Sequence, residues 1–327
     1  MADCTIKALK QRLLQCAGVI LLVAGAPQGD GGLSYDYHRQ SCPGLEATVK
    51  KATLPVLIAD PRSPAAVLRL FFHDCQVQGC DASILLDSDD SRGIASEMES
   101  TRNFGIIGVV KSIVEAACPG QVSCADIIVL AAREAVVRSG GPWIAVPLGR
   151  KDSTTASNRR ADEFLPSSSI GVDGALQMFM SKGMSVEESV AILGAHTIGA
   201  GHFLNMVRRS LYNSKMDDEN TDPRFEALLG LKCPTQGPPT NHTVILNDLT
   251  TLLFDNQYYK DATNGRGLFT IDAAISTDPR TASYVKLFAE DQRYFFRVFS
   301  LAFVKLSSAV VLTGEEGEVR RRCNQVN

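Results

Sequence analysis

Few features of this sequence direct it towards nucleic acid or a membrane. Its 33 basic and 36 acidic residues give a formal net charge of −3, so the chain has no general attraction for phosphate backbones or anionic lipid. Beyond the N-terminal segment, no run of residues is apolar enough to span a bilayer. We therefore expect no nucleic-acid partner and no membrane partner.

Strand-like alternation is also scarce, and the chain has no internal repeat, low-complexity tract or flexible linker. With 45% hydrophobic and 21% charged residues among 327, it has enough apolar side chains for one large core or two smaller ones. The fold class that we predict is mainly α, as one unit whose two halves can enclose a ligand.

The N-terminus has the pattern of a secretory signal peptide. Lys7, Lys10 and Arg12 precede an apolar run over residues 13–26 that only Gln15 interrupts. A buried helix or a membrane anchor is the alternative, but the run is shorter than the roughly 20 residues that a membrane span needs. We predict a signal peptide over residues 1–30, with an approximate cleavage site, a mature domain over residues 31–327 and secretion from the cell.

The sequence contains nine cysteines, of which Cys4 and Cys16 lie in the predicted signal peptide. The mature chain keeps Cys42, Cys75, Cys80, Cys118, Cys124, Cys233 and Cys323. Since secreted proteins fold in an oxidising compartment, most of these should form disulfides, and the odd number leaves one thiol free or paired between molecules. The glycosylation sequon at Asn241 fits the same route.

Most of the periodic segments indicate helices. Ser63 followed by Pro64 predicts a helix cap before residues 65–75, and Ser123 predicts a cap before a helix that ends near residue 137. Further helical patterns cover residues 46–58, 107–117, 172–182, 252–262 and 284–306.

The helix that follows Ser63 should have a polar face. Arg69, Phe72 and His73 are three and four residues apart, so a helix places them on one side. An isolated Arg-x-x-x-His spacing is more often a surface arginine and a core histidine. Here the neighbouring motifs favour a site that combines a cation, an aromatic wall and a base.

Residues 74–83 follow directly, with two acids and a hydroxyl, Asp74, Asp81 and Ser83, around Gly79. Oxygen ligands clustered in this way suit calcium, although the spacing is not that of an EF-hand. The alternative is an acidic turn with a local disulfide. Cys75 and Cys80 could instead be soft metal ligands, but no second close cysteine or Cys/His pair completes a zinc site with them.

A second histidine of interest, His196, lies at the end of another helix. Ser185 and Glu188 have the spacing of a capping box, and the helix that they begin leads into His196. A lone histidine at a helix end is more often structural. It becomes a candidate metal ligand where a carboxylate can hold its second ring nitrogen.

Together these residues resemble the secretory plant peroxidases, the class III haem peroxidases that include horseradish peroxidase. The similarity extends from Tyr35 to the C-terminus, and its motifs occur in the family's order. The motifs are Ser41-Cys42-Pro43, residues 69–83, Val122-Ser123-Cys124-Ala125-Asp126, Pro147-Leu148-Gly149-Arg150, residues 194–199, Phe254-Asp255-Asn256-Gln257-Tyr258-Tyr259 and Leu312-Thr313-Gly314.

The resemblance implies a plant haem-peroxidase fold in which haem b is held between a distal and a proximal helical half. His196 would be the axial ligand of the haem iron, and Asp272 would accept its ring N–H. His73 would take a proton from peroxide and return it to the departing oxygen, while Arg69 would stabilise charge on that oxygen. Phe72 would border the haem, where the intracellular ascorbate and cytochrome c peroxidases have tryptophan.

The resemblance also implies two calcium ions, three disulfides and a donor site. The distal calcium ligands would be Asp74, Val77, Gly79, Asp81, Ser83 and, through water, Glu97. The proximal calcium ligands would be Thr197, Asn247, Thr250, Leu253 and Asp255. The disulfides would join Cys42 to Cys118, Cys75 to Cys80 and Cys124 to Cys323. Asp126 and Arg150 match a buried ion pair, and Pro166 matches the family's donor-site proline.

The chain departs from the family pattern in three places. The segment after the distal calcium loop is shorter, and the asparagine that usually bonds the distal histidine is missing, so the tautomer of His73 is in question. Asn247 stands where an aspartate is common, with Asp248 just beside it. The loss of one anionic ligand should weaken the proximal calcium site. Phe203 replaces the usual partner of Cys233, which makes Cys233 the predicted odd thiol.

The implied function is an enzyme that reduces hydrogen peroxide and oxidises phenolic or other small aromatic donors in one-electron steps. We expect a secreted monomer, in the apoplast or the vacuole. One alternative is a secreted haem- and calcium-binding glycoprotein with little turnover, against which the intact Arg69 and His73 argue. The other is an intracellular ascorbate-type peroxidase, which the signal peptide, the cysteines and Phe72 disfavour.

Overall fold

The computed structural model describes residues 32–87, 101–202, 221–232 and 244–327. The predictions for the signal peptide, Glu97, Phe203, Cys233 and Asn241 lie outside these ranges. Within the described residues the chain is mainly helical, as expected, and two short strands pair antiparallel.

The described helices, numbered in chain order, are α1 Leu45–Ala59, α2 Ser63–Val77, α3 Thr101–Ala117, α4 Cys124–Arg138, α5 Asn158–Phe164, α6 Val172–Met180, α7 Val186–Leu193, α8 Pro223–Lys232, α9 Gln257–Thr263, α10 Thr270–Ala274, α11 Ala282–Glu290 and α12 Gln292–Ser308. The strands are β1 Ala200–His202 and β2 Val244–Leu246. Two short 3₁₀ turns cover Ser83–Leu85 and Gly194–Thr197.

Two of the three predicted helix starts are confirmed. The Ser123 hydroxyl accepts the N–H of Asp126 before α4, and Ser185 and Glu188 form a reciprocal capping box before α7. The prediction for Ser63 is wrong by one residue, because Ser63 is itself the first helical residue of α2 and its predecessor occupies the cap. There Asp60 accepts the backbone N–H of Arg62 at 3.0 Å, so the turn is closed before Ser63.

Three predicted helices have different bounds. Helix α3, predicted from residue 107, begins at Thr101. The pattern over residues 284–306 forms two helices, because Asp291 leaves the helical conformation and its carboxylate accepts the N–H of Tyr294 at 3.0 Å to begin α12. The pattern over residues 252–262 becomes helical only at Gln257, whose N–H is bonded by the Asp255 carboxylate at 2.8 Å. Helices α5, α8 and α10 were not predicted.

The core joins two groups of helices. In the first group α2 packs along α4, and α1 packs on α3 and α4; in the second, α9 packs on α11 and α12 packs on α7. Helix α12 also contacts α2, where Phe303 stacks on Phe71 with ring centroids 4.3 Å apart. None of the described helices is both long and apolar enough to cross a bilayer.

Buried polar groups and disulfides connect the loops to this core. Arg150 and Asp126 form an ion pair of 2.9 Å in which neither side chain is exposed, and Arg150 also donates to the carbonyl of Ser307 at the end of α12. The structure contains the disulfides Cys42–Cys118, Cys75–Cys80 and Cys124–Cys323, the same pairs that the resemblance implies. The last of them fastens the C-terminal segment to the start of α4.

Gly79 has a conformation and a contact that only glycine allows. Its φ is +111°, and a Cβ atom there would lie 1.7 Å from the carbonyl oxygen of Val310. We predict that Gly79→Ala lowers the free energy of unfolding by at least about 3 kcal/mol, since both the backbone and the Val310 contact must change. Denaturant unfolding followed by circular dichroism measures this loss.

Gly44→Ala is the matched control, because Gly44 also has a positive φ, +82°, but open space around its missing Cβ. Gly44→Ala should lower the free energy of unfolding only by the strain of a positive φ, about 1 to 2 kcal/mol. Equal losses for the two variants would show that the contact with Val310 contributes nothing.

Candidate functional site

Helix α2 presents the predicted polar face. Leu70 and Phe71 are buried in the core, whereas His73 is half-buried and Arg69 is exposed. The Nε of Arg69 donates a hydrogen bond to Nε2 of His73 at 3.2 Å. The Phe72 ring lies edge-on to the His73 ring, with centroids 5.8 Å apart. The sequence prediction that these three side chains share one face is therefore confirmed.

The bond from Arg69 determines the tautomer of His73. Because Nε2 accepts, the proton of the neutral ring lies on Nδ1. This Nδ1 is buried and has no hydrogen-bond partner among the described residues. Burial first, and then the charge of Arg69, lower the pKa of His73 to about 3, so the ring is neutral at pH 7.

A small cavity adjoins His73. Its volume is about 10 Å³, close to the space of one water molecule, and His73, Ser83 and Ser157 are among the residues that line it.

The second histidine lies in the 3₁₀ turn that continues α7. Its Nδ1 is 2.9 Å from Oδ1 of Asp272, a distance that joins two residues 76 positions apart in the sequence. A carboxylate can only accept, so Nδ1 carries the proton and Nε2 of His196 is left with a lone pair. The His196 side chain is 36% exposed although the rings of Phe269 and Tyr258 flank it, which leaves room beside the imidazole.

Asp272 accepts two more hydrogen bonds. The Tyr258 hydroxyl donates to Oδ1 at 2.9 Å, and the backbone N–H of Phe269 donates to Oδ2 at 2.9 Å. Burial and the neighbouring Asp272 charge hold the pKa of Tyr258 well above its ordinary value, so Tyr258 keeps its proton and acts as a donor. Sequence reasoning missed this role, although Tyr258 lies in one of the motifs that carry the resemblance.

The described residues of the predicted distal calcium site lie at the junction of α2 and the loop that follows it, with Asp74 and Val77 in the last turn of α2 and Gly79, Asp81 and Ser83 in the loop. Oδ2 of Asp74 accepts the N–H of Ala82 at 3.1 Å, whereas its Oδ1 is buried without a partner among the described residues. Asp81 accepts the N–H of Ser83 at 2.9 Å. Burial, followed by the charge of Asp81, raises the pKa of Asp74 well above its ordinary value, and burial also raises the pKa of Asp81. A cation would relieve the cost of these two buried carboxylates.

A second group of oxygen atoms adjoins His196. The Thr197 hydroxyl lies 2.8 Å from the Asp248 carboxylate and 3.2 Å from that of Asp255, to which Thr250 also donates. Burial raises the pKa of Asp248 to about 6. Asp248 was noted in the sequence only as the neighbour of Asn247, and its carboxylate completes this group.

The remaining predicted residues have separate positions. Val77 ends α2 and is half-buried, Gly79 is packed against Val310, and Leu253 is exposed in the turn before α9. Pro166 is half-buried just after α5. Among the described residues, no cluster of three or more His, Cys, Asp and Glu side chains has the arrangement of a metal site, so both candidate calcium sites depend on hydroxyl and carbonyl oxygens as well.

Comparisons with known proteins agree with the family that the sequence resembles. The profile of the family described as peroxidase matches residues 45–291. The chain is 50% identical to Peroxidase 29 of Arabidopsis thaliana over 305 residues, which cover 90% of this chain and 89% of the relative. It is 40% identical to Peroxidase 18 of the same plant over 300 residues, which cover 90% and 91% of the two chains.

Proposed function

This chain belongs to class III of the plant haem peroxidases, and on that premise we propose that His73 and Arg69 are its catalytic residues and that His196 is its iron ligand. The protein is a peroxidase, with hydrogen peroxide and small reducing donors as its substrates. The observation that carries the assignment of the residues is the pair of histidines in opposite hydrogen-bonding states: His196 is held at Nδ1 by Asp272, and His73 accepts at Nε2 from Arg69.

The residues around His196 fit a haem group. Asp272 fixes the imidazole tautomer that has a lone pair on Nε2, and the partly exposed ring leaves that nitrogen accessible. When bound, haem b (iron protoporphyrin IX) supplies the redox chemistry, since it is oxidised by hydrogen peroxide and then reduced by donors one electron at a time. The strong acceptor at Nδ1 gives the His196 ring anionic character, which makes Nε2 a better electron donor to iron.

The proposed work of His73 is proton transfer. With its ring proton on Nδ1, the neutral ring has a lone pair on Nε2 that can take the proton from one peroxide oxygen. The same nitrogen then returns this proton to the oxygen that leaves as water, so His73 ends the cycle unchanged. Arg69 keeps a positive charge within reach of the same space and stabilises the negative charge that develops on the departing oxygen.

We also propose two calcium sites with the ligands that the resemblance implies. The distal site is supported by the unpartnered Oδ1 of Asp74 and by the raised pKa values of Asp74 and Asp81. The proximal site is supported by the group of Thr197, Thr250 and Asp255, with the carboxylate of Asp248 close by. At each site, carboxylates that are buried or partly buried lie close together. A bound divalent cation would neutralise their negative charge.

The route and substrates that we propose follow the family. A signal peptide over residues 1–30 would direct the domain over residues 31–327 to the apoplast or the vacuole, as a monomer, and the described disulfides fit an oxidising compartment. Phenolic donors would bind near Pro166 at the edge of the haem. No observation on the described residues favours a haem-binding protein without turnover.

Substitution of the two histidines should impair different properties, the reaction with peroxide for His73 and the retention of haem for His196. We predict that His73→Leu keeps haem and fold but reacts with peroxide about 10² to 10⁴-fold more slowly, the usual contribution of a positioned acid-base group. His196→Ala should hold haem loosely or lose it, because the only proposed protein bond to iron is gone. Stopped-flow absorption spectra of the purified variants with peroxide measure both effects.

Arg69→Leu should slow the same step, and Arg62→Leu is its matched control, because Arg62 lies just before α2, where its side chain is 75% exposed and pairs with Asp60. A parent-like rate for His73→Leu would refute the assignment of the distal base. A parent-like haem spectrum for His196→Ala would refute the assignment of the iron ligand.

Removal of calcium should lower thermal stability. A cation that binds only the folded protein contributes about 2.7 kcal/mol at one hundred times its Kd, so chelation should reduce the melting temperature measured by calorimetry. Asp81→Asn should reduce this response, whereas Asp173→Asn, at a carboxylate that is 89% exposed, should leave it unchanged. Identical melting curves with and without chelator, together with no calcium in metal analysis, would exclude both sites.

A further inference from the structure

Asn247 lies directly beside the backbone that carries His196. Strands β1 and β2 pair Ala200 with Leu246, and the ladder continues with a hydrogen bond of 3.2 Å from the N–H of Asn247 to the carbonyl of Gly199. Gly199 has no side chain and a φ of +105°, and a Cβ there would lie 3.9 Å from Nδ2 of Asn247 and 2.9 Å from Cβ of Ala65. The strand register places the asparagine side chain beside the main chain of His196, and the missing Cβ of Gly199 avoids a clash with Ala65.

The amide of Asn247 holds two backbone carbonyls. Its Nδ2 donates to the carbonyl of His196 at 2.8 Å and to that of Ile198 at 3.3 Å. Carbonyl oxygens only accept, so the nitrogen end of the amide must face them and the orientation of the side chain is determined. An aspartate at this position would have no proton to donate and would set a negative charge against the two carbonyls.

These bonds restrain the same residue that Asp272 restrains through its ring. Asp272 fixes the rotation of the imidazole, and Asn247 fixes the main chain on either side of Thr197. The Thr197 hydroxyl is in turn bonded to Asp248. The direction of Nε2 depends on both restraints, because a shift of the main chain moves the ring even when its rotation is unchanged.

We propose that Asn247 is a positioning residue for His196, whose amide holds the main chain of the iron ligand by direct hydrogen bonds and keeps the imidazole aligned when no cation occupies the neighbouring oxygen group. This inference rests on the proposed role of His196. It adds that, in this chain, the alignment of that ligand does not require the proximal calcium ion.

The test compares holoenzymes in the presence of a calcium chelator. The iron–histidine stretching band of the ferrous protein, measured by resonance Raman spectroscopy, reports the strain on the bond from His196, and transfer of haem to apomyoglobin reports its loss. For the parent, chelation should leave the band in place. For Asn247→Ala the band should shift to lower frequency and broaden, and haem should leave about tenfold faster, the factor that corresponds to about 1.4 kcal/mol.

Asn247→Asp separates lost hydrogen bonds from a lost side chain, since it keeps the size and removes the donors. In chelator its band should shift as in Asn247→Ala. Asn264→Ala is the matched control, because the exposed Asn264 amide also donates to a backbone carbonyl, that of Lys260, and makes no hydrogen bond to the main chain of His196 or Ile198. Its band and rate of haem loss should equal those of the parent.

Three results would overturn the inference. They are a parent band that shifts in chelator as far as that of Asn247→Ala, a parent-like band in both Asn247 variants, and a change in Asn247→Ala with none in Asn247→Asp. A failure of the proposed function would look different, because a parent protein without an iron–histidine band in any condition would remove His196 as the ligand before Asn247 is considered.

Discussion

The arrangement of the site depends on the hydrogen bonds that converge on the carboxylate of Asp272. It is 2% exposed and accepts from His196, Tyr258 and the N–H of Phe269, so a buried negative charge is compensated by three donors. The donors come from the turn after α7, from α9 and from the start of α10. One carboxylate therefore joins three separate parts of the chain and determines which nitrogen of His196 keeps its lone pair.

The C-terminal segment stabilises the acidic loop that follows α2 and contains Asp81 and Ser83. The guanidinium of Arg320 is fully buried and donates to the carbonyl of Ala82 at 2.6 Å, and the backbone N–H of Arg320 donates to the carboxylate of Asp152. The disulfide Cys124–Cys323 fastens the same segment to α4. The positive charge of Arg320 therefore lies close to the acidic loop. It offsets part of the repulsion between the buried carboxylates of Asp74 and Asp81.

The sequence predicted those features correctly that depend on residues a few positions apart within one helix. The shared face of Arg69 and His73 follows from helical periodicity, and the capping box before α7 follows from two residues three positions apart. The contact of His196 with Asp272 was implied only by resemblance, because no periodic pattern links residues 76 positions apart.

The misses have a common cause. Ser63 and the segment from residue 252 to 256 were misjudged because nearby carboxylates, Asp60 and Asp255, close the turns there. The second role of Asn247 could not be predicted either, since it depends on the register of two three-residue strands separated by more than forty positions. Side chains that bond across such gaps leave no local pattern in the sequence.

The two histidines also differ in how freely they can move, and this difference fits their proposed roles. Asp272 bonds the ring of His196 at Nδ1, and Asn247 bonds the carbonyls of His196 and Ile198, so the residue proposed to bind iron is restrained at its ring and at its main chain. His73 has one described hydrogen bond from its ring, which Arg69 donates to the nitrogen that must accept the proton. In the proposed mechanism this bond breaks before His73 takes a proton, and Arg69 and His73 would each form a hydrogen bond to peroxide instead. Hydrogen bonds to peroxide would then replace the bond that is lost, which keeps the net free-energy cost small, and the Arg69–His73 contact keeps the proposed catalytic residues together when peroxide is absent.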